Sequence, residues 1–292
     1  MNILRMAILM GLAGVAIAAS PSESWYRGAT RCPVLDLRSD PSYTLDLGFV
    51  LPADVENGKA FSLMEWDGQS DMLYFRDVLL GDLDIRLQFQ SSVPLNGGGL
   101  SLPDQLLAVG FDNRWTWRYV NGTAFQWRFE PGFYSALDSL SLQSLAMPMT
   151  FTGIKTLDSS LAAVAGMALR LEFERVFMPV AGIVWQPTPG LRLEALIPES
   201  RVVYHVQPGW VVHARWAWES MSYQLPDDRD DRKRVTLESQ RLALGLTREV
   251  TPEFRIAGEL GILNGREIEF GRGGTADVDP AAYVRVGIGG AF

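Results

Sequence analysis

The chain has 292 residues, 47% hydrophobic and 21% charged, which is too apolar for a disordered chain and enough for one large domain or two small ones. With 26 Lys and Arg against 34 Asp and Glu, its formal net charge is −8, so it repels phosphate backbones and no nucleic-acid partner is expected. One cysteine, Cys32, cannot close a disulfide within the chain. With only His205 and His213 besides, neither a multi-cysteine zinc site nor a histidine-built metal site is expected, and no cofactor is expected.

Met1 to Arg5 is a short segment with one positive charge, and Met6 to Ile17 is an almost unbroken apolar run. Ala16-Ile17-Ala18 fits the small-x-small rule of a signal-peptidase site, so residues 1–19 read as a cleaved export signal. Residues 20–42 are poorly patterned and read as an extended N-terminal segment. Downstream, no run of about 18 uncharged apolar residues appears, so no transmembrane helix is expected. That leaves a soluble exported protein or a barrel formed by residues 43–292.

Period-two alternation dominates the rest. Leu45, Leu47, Phe49 and Leu51 interleave with Asp46 and Gly48; Leu83, Ile85, Leu87 and Phe89 interleave with Asp84, Arg86, Gln88 and Gln90. Trp115, Trp117 and Tyr119 alternate with Arg114, Thr116 and Arg118. Asn121-Gly122, the strongest short hairpin signal, separates this run from Phe125, Trp127 and Phe129, which alternate with Gln126, Arg128 and Glu130. Leu169, Leu171 and Phe173 alternate with Arg170, Glu172 and Glu174; Leu191 and Leu193 alternate with Arg192 and Glu194. Phe254, Ile256, Leu260 and Ile262 share a side opposite Arg255 and Glu259. Turns fall at Thr188-Pro189-Gly190, Pro198-Glu199-Ser200, Gln207-Pro208-Gly209 and Val250-Thr251-Pro252. Each strand therefore has one apolar and one polar face.

A soluble β-sandwich turns its apolar faces inward, and an outer-membrane barrel turns them outward to lipid. Three features favour the barrel. The polar faces carry both signs of charge near strand centres, which suits a lumen where they pair: Asp46, Asp84, Arg86, Arg114, Arg118, Arg128, Glu130, Arg170, Glu172, Arg192, Glu194, Arg215, Glu219, Arg241, Arg255, Glu259 and Arg285. Aromatics near strand ends, among them Trp115, Trp117, Trp185, Trp210, Trp216 and Trp218, suit interfacial girdles. The chain also ends in a strand with Val284, Val286, Ile288 and Phe292 on one face, the form of a barrel-assembly signal. Counting back from it, residues 264–280 and 225–233 are long connections, whereas 249–252 and 207–209 are short. This is the asymmetry of outer loops against periplasmic turns.

The stretch from Met178 to Pro187, Leu191-Arg192-Leu193-Glu194, Ile197-Pro198, Asn264 to Phe270 and Asp277-Val278-Asp279-Pro280 resembles an uncharacterised family of bacterial outer-membrane β-barrels, classed as a domain of unknown function. The resemblance covers roughly residues 145–292. It implies the barrel fold and export to the outer membrane, and it brings no activity, substrate or catalytic residue.

Catalytic constellations are weak. His213 and Glu219 share a strand face but stand about 20 Å apart at about 3.3 Å per residue, and Ser220 points the other way, so a hydrolase dyad cannot form there. Asp227-Asp228-Arg229-Asp230-Asp231 lacks the glycine and distal glutamate of a calcium loop, and Gly271-Arg272-Gly273-Gly274 is followed by no helix that would cradle phosphate. The expected protein is a single antiparallel outer-membrane β-barrel of about twelve strands, with ten to fourteen allowed. It is a passive channel or structural barrel with an ion-paired lumen and not an enzyme. Its expected partners are outer-membrane lipids and the barrel-assembly machinery. The competing expectation is a soluble periplasmic β-sandwich that binds a ligand; a barrel hydrolase ranks third.

Overall fold

Alternating strands can bury one face by packing two sheets or by closing one, and here one sheet closes. The computed structural model describes residues 42–56, 58–139, 141–173, 175–226, 234–271 and 274–291. The expected export signal, almost all of the N-terminal segment, the acidic 227–231 loop, Arg272, Gly273 and Phe292 lie outside the described residues. The chain opens with β1 (Ser42–Asp54), β2 (Ala60–Val78), β3 (Gly81–Gly97), β4 (Leu106–Arg118) and β5 (Thr123–Phe129). Two short pieces follow, β6 (Gly132–Ala136) and β7 (Leu145–Ala146). Then come β8 (Met149–Thr156), β9 (Leu161–Leu169), β10 (Phe177–Thr188), β11 (Leu191–Ile197) and β12 (Glu199–Gln207). The last are β13 (Trp210–Gln224), β14 (Arg234–Thr251), β15 (Phe254–Phe270), β16 (Gly274–Val278) and β17 (Ala281–Ala291).

Successive wall strands pair antiparallel, and β17 returns to β1, with Leu45 opposite Ile288 and Val50 opposite Tyr283. The wall is β1–β5, β8–β15 and β17, fourteen strands rather than about twelve. The extra strands come from residues 149–207, which hold β8 to β12 at about twelve residues per strand and connection. That is little more than half of what twelve strands spread evenly over residues 43–292 would use. A closed single sheet also excludes the two-sheet sandwich.

One end carries both described termini and connections of two to four residues, at 79–80, 119–122, 157–160, 189–190, 208–209 and 252–253. The other carries the longer connections, apart from the single residue Pro198 between β11 and β12. At that end β6 leaves the line of β5 after Pro131. It pairs with the first half of β4, from Leu106 opposite Ala136 to Gly110 opposite Gly132, and meets β13 at Ser135 opposite Gln224. This bypass draws the tall strands into a smaller ring. Its inside is an apolar cluster that includes Phe61, Leu106, Tyr134, Phe173, Tyr223, Val235, Phe270 and Tyr283.

The cap explains one departure from the sequence pattern. The alternation at 169–173 predicts strand, yet β9 ends at Leu169 and the chain turns. Phe173 is drawn into the cluster, where its ring meets Tyr134 edge-on at 5.2 Å. Arg170 and Glu172 therefore belong to the β9–β10 connection and not to a strand face. Burial of one phenylalanine outweighs the weak preference of a short alternating run.

Burial in the wall is inverted relative to a soluble protein. Register aligns Leu244, Leu260, Val284, Phe49 and Met64 across five neighbouring strands, and Leu244 and Leu260 are 66% and 63% exposed. The adjacent row aligns His213, Gly245, Glu259, Arg285, Gly48 and Glu65, where His213 and Glu65 are buried. A continuous apolar outer belt of this kind far exceeds what a water-soluble monomer exposes and fits contact with lipid.

Candidate functional site: a charged lumen beneath an apolar cap

Opposite charges at alternate positions of neighbouring strands meet on one face, and closure brings the two sides of that face together. Arg241 on β14 donates from Nη2 to Glu65 Oε2 on β2 at 2.9 Å, although β15, β17 and β1 stand between those strands. Only the inside of a closed barrel permits that contact. Arg285 also donates to Glu65 Oε2, at 3.2 Å, and lies 3.1 Å from Asp67 Oδ2. Arg241 reaches Glu219 at 3.0 Å, Arg215 bonds the other oxygen of Glu219 at 2.9 Å, and the Arg241 guanidinium lies 4.6 Å from the centre of the Tyr283 ring. One network thus ties β2, β13, β14 and β17 together.

His213 lies along this network. Its ring covers Gly245 so closely that a Cβ there would fall 2.2 Å from Cε1, so the glycine makes the crossing feasible. His213 Nε2 comes within 3.2 Å of Glu259 Oε2, and Tyr283 Oη donates to the other Glu259 oxygen at 2.6 Å. The histidine is thus held by a carboxylate two strands away and not by Glu219 or Ser220. Arg255 lies on the same strand face as Glu259, four residues nearer the short-turn end, and stands opposite Gly289 of β17.

A second set of ion pairs runs from β2 to β5. Asp112 is fully buried between Arg114 and Arg128, each 2.7 Å from one of its oxygens. Arg128 continues to Glu130 at 2.8 Å, and Gln88 Nε2 donates to the same Glu130 oxygen at 3.2 Å. Arg86 bridges Asp71 at 2.8 Å and Asp84 at 2.6 Å, and Arg118 pairs with Asp82 nearer the short-turn end. On β11, Arg192 pairs with Glu194 at 2.7 Å.

The lumen wall is apolar on one side. Register aligns Ala124, Ile154, Val164, Gly182 and Leu196 across β5 and β8 to β11, and Ile154, Val164 and Ala124 are buried together. Aromatics gather near the short-turn end. Trp115 and Trp117 stack at 5.4 Å, and their Nε1 atoms donate to the Val78 and Leu79 carbonyls at 3.0 and 3.1 Å. Trp210 lies under Arg248 at 4.5 Å, and Trp185 is exposed.

Sequence reasoning missed Glu65, Asp67, Asp71, Asp82 and Asp112. Phe61 and Leu63 of β2 join the cap cluster on the same strand face as Glu65, so apolar residues fall on both faces of β2, and register shifts at Asp71/Leu73 and Phe75/Val78 break the alternation further on. The spacing of Glu65, Asp67, Gln69 and Asp71 was the available signal.

No family model matches the chain, and no curated protein matches it. Similar solved structures include an outer membrane channel from Pseudomonas putida F1, at 12% identity over 93% of this chain and 100% of that one, with a TM-score of 0.45. The NanC porin covers 86% of this chain and 100% of its own at 10% identity and a TM-score of 0.42. The Pseudomonas putida toluene transporter TodX covers 92% and 94% at 10% identity and a TM-score of 0.40. At such values the barrel class rests on the strand pairing itself.

Proposed function

We propose that the chain is an outer-membrane β-barrel acting as a passive channel, with a charged, ion-paired lumen kept narrow by the apolar cap. The inverted burial carries this reading: paired charges inside a closed sheet, a leucine-rich belt outside. Charges fixed on the lumen wall select what passes, and the cap limits the size and rate of passage. Outer-membrane lipids cover the belt, and the barrel-assembly machinery inserts the chain through a terminal strand whose outer row is Val284, Val286 and Ile288. The reading is transport: His213 Nε2 is taken by Glu259, and among the described residues its Nδ1 has no hydrogen-bond partner, so no nucleophile is paired with the histidine.

The test is conductance of the refolded protein in planar bilayers, alongside a cold gel of boiled and unboiled samples. The expected result is a mobility shift on boiling together with small, discrete conductance steps. A shift without conductance refutes the channel and leaves a structural barrel, the second reading that the filled cap favours. No shift, with solubility in plain buffer, refutes the membrane barrel altogether.

A further inference from the structure

Beneath the cap the lumen opens into a cavity of about 320 Å³. Strand register sets one wall of it as a grid. Asp46 stands opposite Asp67, and Asp67 opposite Gln90; two residues along, Thr44 stands opposite Gln69, and Gln69 opposite Gln88. All six side chains line the cavity. Directly opposed side chains on one sheet face have Cβ atoms about 4.5–5.5 Å apart, so the grid is a continuous polar patch three strands wide. The rest of the lining includes an apolar patch, Tyr134, Phe173 and Met221 at the base of the cap, beside the charged Glu130 and Arg170.

The partners already present narrow the ligand class. Arg285 holds Asp67, and Gln88 donates to Glu130. Among the described residues, no hydrogen bond ties down the Gln69 and Gln90 amides or the Asp46 carboxylate. An anion entering the cavity meets Asp46, Asp67 and Glu130. A cation meets Arg170 and the N–H donors of the amides, and finds Asp67 already held by Arg285. A hydroxyl donates to a carboxylate or amide oxygen and accepts from an amide N–H, so a neutral molecule with several hydroxyls is matched by every member of the grid. Its C–H face rests on the apolar patch. The volume lies at the low end of small-molecule sites, about 300–1,000 Å³, which limits the ligand to the size of a single sugar ring.

We propose that this cavity binds a small, neutral, polyhydroxylated solute. The proposal rests on the channel reading only for how the solute arrives, and binding is measured without flux. The experiment is calorimetric titration of the refolded full barrel, in a detergent without a sugar headgroup, with glucose, and with choline and gluconate as cationic and anionic probes. Glucose is expected to bind saturably, and more tightly than either ion. The Gln69→Leu/Gln90→Leu double variant, its fold checked by the boiling shift, is expected to bind glucose at least tenfold more weakly. Absence of saturable glucose binding in a barrel that conducts overturns the proposal and spares the channel. Tighter binding of choline overturns it in favour of a cation site, and unchanged affinity in the double variant overturns the grid as its seat. Saturable, amide-dependent binding in a barrel that does not conduct supports the site while refuting the channel.

Discussion

Arg241 is 1% exposed, yet its charge is shared between Glu65 and Glu219 and covered by Tyr283. Removing it leaves Glu65 with Arg285 alone and Glu219 with Arg215 alone, so each carboxylate loses one of two cationic partners. Arg241→Met is therefore expected to lower stability by about 3 kcal/mol, the low end of the range for a broken buried pair, measured by denaturant unfolding in detergent micelles. A loss below about 1 kcal/mol would show that water already solvates Glu65. Two glycines on neighbouring strands make a paired test of close approach. A side chain at Gly245 collides with the His213 ring, whereas a Cβ at Gly258 meets nothing within 4 Å. Gly245→Val is expected to displace His213 from Glu259 and to destabilise the barrel, with Gly258→Val close to neutral. Equal effects of the two would mean that strand propensity, and not the histidine, sets the cost.

The elements differ in height, and the difference leaves a gap that side chains close. β12 pairs with β13 only as far as Glu199 opposite Ala217, and β11 pairs with β10 only from Ala181 onward. Above the short β11–β12 hairpin the edge of β13 is satisfied by other means. The Ser220 carbonyl accepts from Arg170 at 2.9 Å, and the Gln224 carbonyl accepts from Ser135 Oγ at 3.3 Å. Arg175 donates twice to Glu238, at 2.8 and 2.9 Å, and stacks over Trp218 at 4.7 Å. Because Arg175 is substantially exposed, Arg175→Ala is expected to change stability by no more than about 1 kcal/mol. Its expected effect is on motion: more frequent transitions between conductance levels in single-channel records, and an unaltered trace would deny the contact any part in holding that edge. β17, most of β3 and the first part of β15 were legible because alternation set by an inner and an outer face persists over many residues, whereas 264–270 of β15 and all of β16 were read as a connection, since a bulge between Asn264 and Glu267 breaks the phase there. β2 was not legible, because its inner face is apolar at Phe61 and Leu63 and acidic from Glu65 to Asp71, and bulges after Asp71 shift the phase again. The turn at Arg170 to Phe173 was hidden as well, since its sequence alternates like a strand and only the distant Tyr134 ring draws it inward. The polar grid of the cavity was half visible: Asp46, Gln88 and Gln90 stood on recognised strands, and Asp67 and Gln69 on the unread one.

At the scale of the whole molecule, one substitution separates a membrane barrel from any soluble protein with the same fold. Leu244 lies in the outer row with Leu260 and Val284 and is 66% exposed. In water, replacing an exposed leucine away from any special feature changes stability by about 0.5 kcal/mol at most. In a bilayer the same position faces hydrocarbon, and arginine near the midplane costs about 2–4 kcal/mol. Leu244→Arg is therefore expected to lose about 2–4 kcal/mol when unfolding is followed in lipid vesicles, and much less in detergent micelles, which deform around the charge. Equal, near-zero losses in both media would mean that the apolar belt is not embedded, and the inverted burial would then need a protein partner to cover it. A loss confined to vesicles ties the outer row to lipid directly, because neither the fold nor the lumen differs between the two media.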